Sequence, residues 1–367
     1  MNVVYVYADS QEEWNCSEWR CAIPARAINR TRSHHAELIS LTDFARMRSP
    51  AERACGNADI IVVQRNLFGP VLAAIQHWKA RGKTIIADFD DAYDRIPSTH
   101  KNHAFWLQGL LPPDPESEGS AMRRVTPPPL EQFRWGLRLV DAATVPSIRL
   151  ADDWSQYTDI HLVPNYIELS RYQNIPRKAH AGVVIGWGGS LSHLQSFTES
   201  AILTALRRVC RLRPDVRVML NGGDHRIHER LGIDRKQCLL RPWVPFEHWP
   251  QELAKYDIGI APLHGTYDDR RSWIKVLEYS VMKIPWAASD RPPYHDFRAY
   301  GWMVNNTSKA WERVLLDMID HIEDYREEAA RDAYLFGISK GIDGNIEKIL
   351  HTYQQIIASP APVRGAS

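Results

Sequence analysis

Short apolar runs of strand length alternate with longer amphipathic stretches along almost all of the chain, the rhythm that helices impose when they cross over a parallel sheet. In the first half, strands are expected at residues 3–8, 36–41, 59–64, 84–89, 142–146 and 160–164. Between the third and fourth of these, residues 70–79 read as a helix opened by Pro70 and closed near Gly82. The rhythm restarts after the polar stretch 172–181, with strands expected at 183–187, 216–221, 239–244, 257–262, 284–289 and 302–305. Two Rossmann-like β/α/β domains in tandem are therefore the expected α/β fold class, and 367 residues suit two cores better than one. The first domain is expected over 1–166 and the second over 167–335. The chain after Ser308 reads as helical to about Ala358, so that residues 336–367 return to the first domain. Residues 111–130 hold six prolines with Glu, Ser and Gly, and read as a loop.

Composition removes several function classes. Lys plus Arg (45) nearly equals Asp plus Glu (44), unlike a protein whose affinity comes from a polyanion's backbone. The five cysteines are scattered with no C-x-x-C pair, so neither a disulfide framework nor a zinc site is expected, and a cytoplasmic location fits. No run of 18 apolar residues occurs, and Met1-Asn2-Val3-Val4 enters the first strand pattern without a basic leader. A G-x-S-x-G elbow, an H-E-x-x-H pair, a P-loop and a G-x-G-x-x-G fingerprint are all missing, which removes the commonest hydrolase and dinucleotide chemistries.

Three stretches concentrate polar chemistry. Gly186-Trp187-Gly188-Gly189-Ser190 stands where a strand ends and a helix over about 194–212 is expected, either a phosphate seat or a tight turn. Arg270-Arg271-Ser272-Trp273-Ile274-Lys275-Val276-Leu277-Glu278 follows another strand, with Ser272 the expected N-cap. Ser272 to Glu278 spans about 9 Å at 1.5 Å per residue, the reach from a diphosphate to a ribose diol. On that reading Lys275 meets phosphate and the Glu278 carboxylate accepts ribose hydroxyls from a helix surface outside the core; the alternative is a solvated surface pair. Asp88-Phe89-Asp90-Asp91-Ala92-Tyr93-Asp94 closes the fourth strand, where open α/β sheets bind ligands; four carboxylates so close repel unless something compensates them. Asp88, Asp90 and Asp91 are the candidate catalytic groups, and Trp19, Arg20 and His103 the candidate acceptor contacts.

The ordered set Trp243, Tyr256-Asp257-Ile258-Gly259-Ile260-Ala261-Pro262, Ser272 to Tyr279 and Ile284-Pro285-Trp286 resembles the donor-binding half of family-4-like glycosyltransferases of the GT-B fold. Gly186 to Ser190 resembles that family's first loop of the second domain, and Val163-Pro164-Asn165 its hinge. The resemblance implies two Rossmann-like domains facing a cleft and a retaining transfer from a nucleotide-diphosphate sugar. It places donor contacts at Trp187, Gly188, Gly189, Ser190, Trp243, Arg271, Ser272, Lys275 and Glu278, with no metal or other cofactor. Glu278 falls on the second Glu of the family's E-x7-E motif, while Arg270 replaces the first, leaving Asp268 or Asp269 to substitute. The family's basic pair after the glycine loop is also missing, so Arg270, Arg271 and Lys275 are left to meet the phosphate charge. Acidic residues stand where many members carry a catalytic His. A non-catalytic sugar-nucleotide or glycan-binding module and a nucleotide-sugar epimerase are the alternatives. The acceptor is expected to be a polysaccharide or metabolite, with a hydroxymethylated DNA base, served by Arg123, Arg124, Arg134, Arg138 and Arg149, ranking lower.

Overall fold

The structure, a computed structural model, describes residues 1–12, 14–111, 123–177, 179–189, 193–222 and 229–358. The chain divides into two compact units: residues 1–166 together with the chain from Ile342 onward, and residues 167–341. In chain order the first unit carries β1 (Asn2–Tyr7), β2 (His35–Ser40), β3 (Ile60–Gln64), β4 (Thr84–Asp88), β5 (Leu110–Leu111), β6 (Arg123–Arg124), β7 (Ala142–Val145) and β8 (Ile160–Leu162). The second carries β9 (Val183–Gly188), β10 (Val216–Asn221), β11 (Cys238–Arg241), β12 (Ile258–Ala261), β13 (Trp286–Ser289) and β14 (Trp302–Val304). Every strand of the two six-stranded sheets overlaps a run read from the sequence.

The first sheet has the order β2-β1-β3-β4-β7-β8 and the second β11-β10-β9-β12-β13-β14, with every pairing parallel. Residues 60–64 are buried without a break, as expected of a central parallel strand covered on both faces. In each sheet the order reverses beside the unit's first strand, between β1 and β3 and between β9 and β12. Open α/β sheets bind ligands at the carboxyl ends of strands flanking such a reversal.

The helices follow the same logic. Along Ile202–Leu212 the side chains of Ile202, Leu203, Ala205, Leu206, Val209 and Cys210 are buried at helical spacing, and they join Trp187, Phe197 and Trp311 in the second unit's core. The single helix expected over 194–212 is two, Leu194–Glu199 and Ile202–Leu212, because Ala201 takes a left-handed φ of 64° that no continuous helix contains. The region after Ser308 is likewise segmented into Ser308–Asp320, Ile322–Glu328, Ala329–Ala333, Tyr334–Ser339 and Ile346–Ala358. The second unit runs to Gly341, beyond the expected 335, and Ile346–Ala358 packs in the first unit, where the Tyr353 hydroxyl lies 3.1 Å from that of Tyr5. The stretch read as a loop begins within β5 and contains β6, the two pairing antiparallel, and Pro129 opens the helix Pro129–Leu139. Among the described residues no helix is long and apolar enough to cross a membrane.

Candidate functional site

In the second unit the carboxyl end of β9 meets the helix Ile274–Val281. The Lys275 ammonium donates to the Gly188 carbonyl at 2.6 Å and lies 5.8 Å from the Trp187 ring. Burial lowers the Lys275 pKa, partly offset by the neighbouring Glu278 carboxylate. One turn along, Glu278 is only 5% exposed, and its Oε1 accepts from the Tyr172 hydroxyl at 2.8 Å and the Trp249 indole at 2.9 Å. Burial raises its pKa, while those two donors and Lys275 pull it back. Glu278 is therefore not a surface carboxylate outside the core, as expected from its helix position. One oxygen is anchored, and Oε2 accepts no hydrogen bond among the described residues.

Several other expected donor contacts have different surroundings. Trp187 is 1% exposed and packs on Phe197 with ring centroids 4.6 Å apart, so its side chain belongs to the core, with its indole N–H unpartnered among the described residues. The glycine loop is shaped by aromatic rings: a Cβ on Gly188 would lie 2.2 Å from Trp249, and one on Gly189 2.7 Å from Trp187. The Gly189 amide donates to the Asn221 carbonyl at 3.1 Å. Packing of the rings thus accounts for the lack of a side chain at both glycines, and the Gly189 amide is already paired. Ser190 lies outside the described residues. Trp243 is 47% exposed, with its ring edge against Gly222. The helix is capped by Trp273 rather than Ser272, since Ser272 stands one residue too early.

Arg271 donates to Asp268 at 2.9 Å, lies 2.9 Å from His193 Nε2 and stacks over Tyr267. Asp268 also accepts from the His264 amide at 2.7 Å, Asp269 pairs with Arg291 at 2.8 Å, and Arg270 donates to the Thr266 carbonyl at 3.0 Å. Both carboxylates that could stand in for the missing Glu at 270 lie beside an arginine. The basic group directed to the β9 end is Lys275.

In the first unit Arg20 and Asp88 are 4% and 3% exposed and form a bidentate pair at 2.8 and 2.6 Å. Arg20 also donates to the Val163 carbonyl at 2.8 Å and Asn165 Oδ1 at 2.9 Å, and Thr144 donates to Asp88 at 2.6 Å. This clamp ties the turn Glu18–Ala22 to β4, β7 and the segment after β8. Arg20 and Asp88 are thus each other's buried counterions, and both border the same small recess as Trp19. Trp19, 5% exposed, lines a small recess with Tyr166, Ile349 and Tyr353. His103 lies with Nδ1 2.8 Å from the Ile96 carbonyl, an anchoring contact.

Asp90 differs from Asp88. Its Oδ1 is buried and has no hydrogen-bond partner among the described residues. Desolvation and the adjacent Asp91 push its carboxyl up to about 6, against the pull of Arg65 and Arg20. Sequence reasoning missed its surroundings. Gln64 ends β3 and gives its Oε1 to the Ala8 amide (3.0 Å) and the Ser17 hydroxyl (2.6 Å), leaving Nε2 unpartnered. Arg65, at a left-handed φ of 46°, pairs with Asp9 just beyond β1. Tyr93, stacked 3.9 Å from Trp106, has an unpartnered hydroxyl that feels Asp90, Asp91 and Arg65. A polar residue ending an apolar run at the sheet's reversal was the available signal for Gln64; Tyr93 gave none.

The architecture matches solved glycosyltransferases. HepE from Anabaena, solved with UDP, superposes at a TM-score of 0.65 with 12% identity, covering 97% of this chain and 100% of HepE. The chain has the GT-B fold. Among other GT-B structures, TarM superposes at 0.57 with 12% identity over 81% of this chain, which spans only 54% of TarM. The UDP-GlcNAc 2-epimerase from Neisseria meningitidis, bound to UDP-GlcNAc, superposes at 0.56 with 11% identity over 97% of this chain and 100% of its own. No family model matches the sequence, and no curated protein does.

Proposed function

We propose that this protein is a glycosyltransferase that moves a sugar from a nucleotide-diphosphate sugar to an acceptor hydroxyl, with retention at the anomeric carbon. The observation that carries the reading is Lys275 fixed at the β9 end one helical turn from a carboxylate with one anchored and one open oxygen. Lys275 offers its remaining N–H donors to the diphosphate, and Glu278 offers Oε2 to the ribose hydroxyls. As the bond from the anomeric carbon to the diphosphate breaks and the bond to the acceptor oxygen forms, negative charge grows on the leaving diphosphate and Lys275 opposes it. Asp90 or Asp91, in the first unit, orients the sugar or receives the acceptor hydroxyl's proton; a carboxyl near pKa 6 suits that exchange near neutral pH. The acceptor proposed is a glycan or small metabolite.

A thermal-shift screen of nucleotide sugars tests the donor. A binding donor at 100 times its dissociation constant adds about 2.7 kcal/mol of stability. Nucleotide-diphosphate sugars are expected to raise the melting temperature and sugar 1-phosphates to leave it in place; no shift with any nucleotide sugar contradicts the reading. The epimerase among the GT-B neighbours supports a second reading, nucleotide-sugar epimerisation. Release of a free epimer without any acceptor would favour it over transfer.

A further inference from the structure

Among the buried polar atoms of the first unit that lack partners, Gln64 Nε2, Tyr93 Oη and Asp90 Oδ1 concern one region of the sheet. They belong to the ends of β3 and β4 and the turn that follows, beside the reversal of strand order. Gln64 is 0% exposed and Tyr93 2%, so neither atom gains freely from bulk water. Burying a polar group unpaired costs about 1–3 kcal/mol, and three at one strand edge call for a ligand that satisfies them together. Register and bonding bring them to one place. Gln64 stands opposite Asp88 across β3 and β4, and the Arg65 amide donates to the Asp88 carbonyl at 2.7 Å. Asp90 and Tyr93 follow in that turn and act on each other electrostatically.

The chemistry of the atoms selects the ligand. Gln64 Nε2 only donates, an ionised Asp90 only accepts, and Tyr93 does either. A sugar hydroxyl both accepts and donates, so adjacent hydroxyls satisfy such a set. An anionic group does not fit: Asp90 and Asp91 repel it, and the nearby Arg65 is already paired with Asp9. We propose that the carboxyl ends of β3 and β4 form a subsite for an uncharged polyhydroxylated group, read by Gln64, Tyr93 and Asp90, which excludes acidic sugars. The inference rests on the glycosyltransferase reading and narrows its substrate to neutral sugar units at this subsite.

The test uses the full chain and ligand-observed NMR with glucose, galactose, glucuronate and galacturonate. The neutral hexoses should bind, and the uronates should bind at least about 10-fold more weakly. Tyr93→Phe should weaken hexose binding about 3- to 10-fold, the worth of one neutral hydrogen bond. Its apo melting temperature should hold or rise, because an unpaired buried hydroxyl is removed, whereas a structural tyrosine would lose stability. Gln64→Glu, which keeps the acceptor for Ala8 and Ser17 and removes the donor, should weaken the hexose similarly. Equal binding of hexose and uronate, absence of hexose binding, or unchanged binding in both variants overturns the proposal, the last meaning that only water satisfies these atoms. UDP binding, measured on the same samples, should be unchanged in both variants. Its absence from the wild type while hexoses bind would remove the donor reading and leave the subsite.

Discussion

Each unit ends its first strand, and the strand beyond the reversal, beside the residues that make it chemically distinct, yet the two ends are furnished in opposite ways. At β9 a lysine is fixed to a backbone carbonyl, the neighbouring arginine is bound to Asp268, and aromatic rings fill the spaces above the glycines. At β3 and β4 the groups are acidic or neutral, one arginine is locked to Asp88, another is paired with Asp9, and buried polar atoms of Gln64, Asp90 and Tyr93 lack partners. The sheet topology determines where a ligand can approach, since both orders reverse beside the first strand. The residues just past the strand ends differ in kind, and the two proposals follow from that difference: an anion at the β9 end, hydroxyls at the β4 end.

The largest expected effect breaks the first unit alone. Arg20→Met leaves Asp88 buried without its bidentate partner and should cost about 3–5 kcal/mol in a urea titration. An unchanged unfolding midpoint would mean that the clamp is not structural. Asp90→Asn or Asp91→Asn should lower turnover roughly 100-fold at saturating substrates while donor binding stays the same. Wild-type turnover in both would reduce the acidic turn to a solvated strand end. The smallest effect concerns pH. Asp90 binds its proton more tightly in the native chain (about 6) than in the unfolded chain (about 4). That contribution to stability is complete below about pH 4 and is lost as pH rises to about 6. Asp90→Asn should therefore stabilise the apo protein by roughly 2–3 kcal/mol at pH 7, two pKa units at about 1.4 kcal/mol each. The gain should disappear by pH 4, and a pH-independent difference would show that the carboxyl is not strained by its surroundings.

The sheets were legible because buried parallel strands read as short apolar runs with turns at their ends, as 60–64 and 258–261 do. The interruption at Ala201 was not, because apolar spacing continues through it and nothing in an alanine announces a left-handed backbone. Lys275 and Glu278 were legible as a pair three positions apart on one helix. Their partners were not: Tyr172 lies 106 positions from Glu278 and Trp249 29, and only the folded chain brings them together. Arg20 and Asp88 were legible singly, but their separation of 68 positions hid that each is the other's counterion.

Calorimetry of UDP binding to the wild type, Lys275→Ala and Glu278→Gln tests most directly the proposal that Lys275 and Glu278 hold the nucleotide diphosphate in the second unit. Glu278→Gln keeps an oxygen for Tyr172 and Trp249 and removes the charge, so its fold should persist. Charged hydrogen bonds are worth about 1.5–3 kcal/mol each, which predicts roughly 10- to 100-fold weaker UDP binding for Lys275→Ala and about 10-fold for Glu278→Gln. Uridine should lose little affinity in Lys275→Ala, whose partner is phosphate, and should lose as much as UDP in Glu278→Gln, whose partner is ribose. Wild-type affinity for UDP in both variants, with both still folded, would contradict the claim.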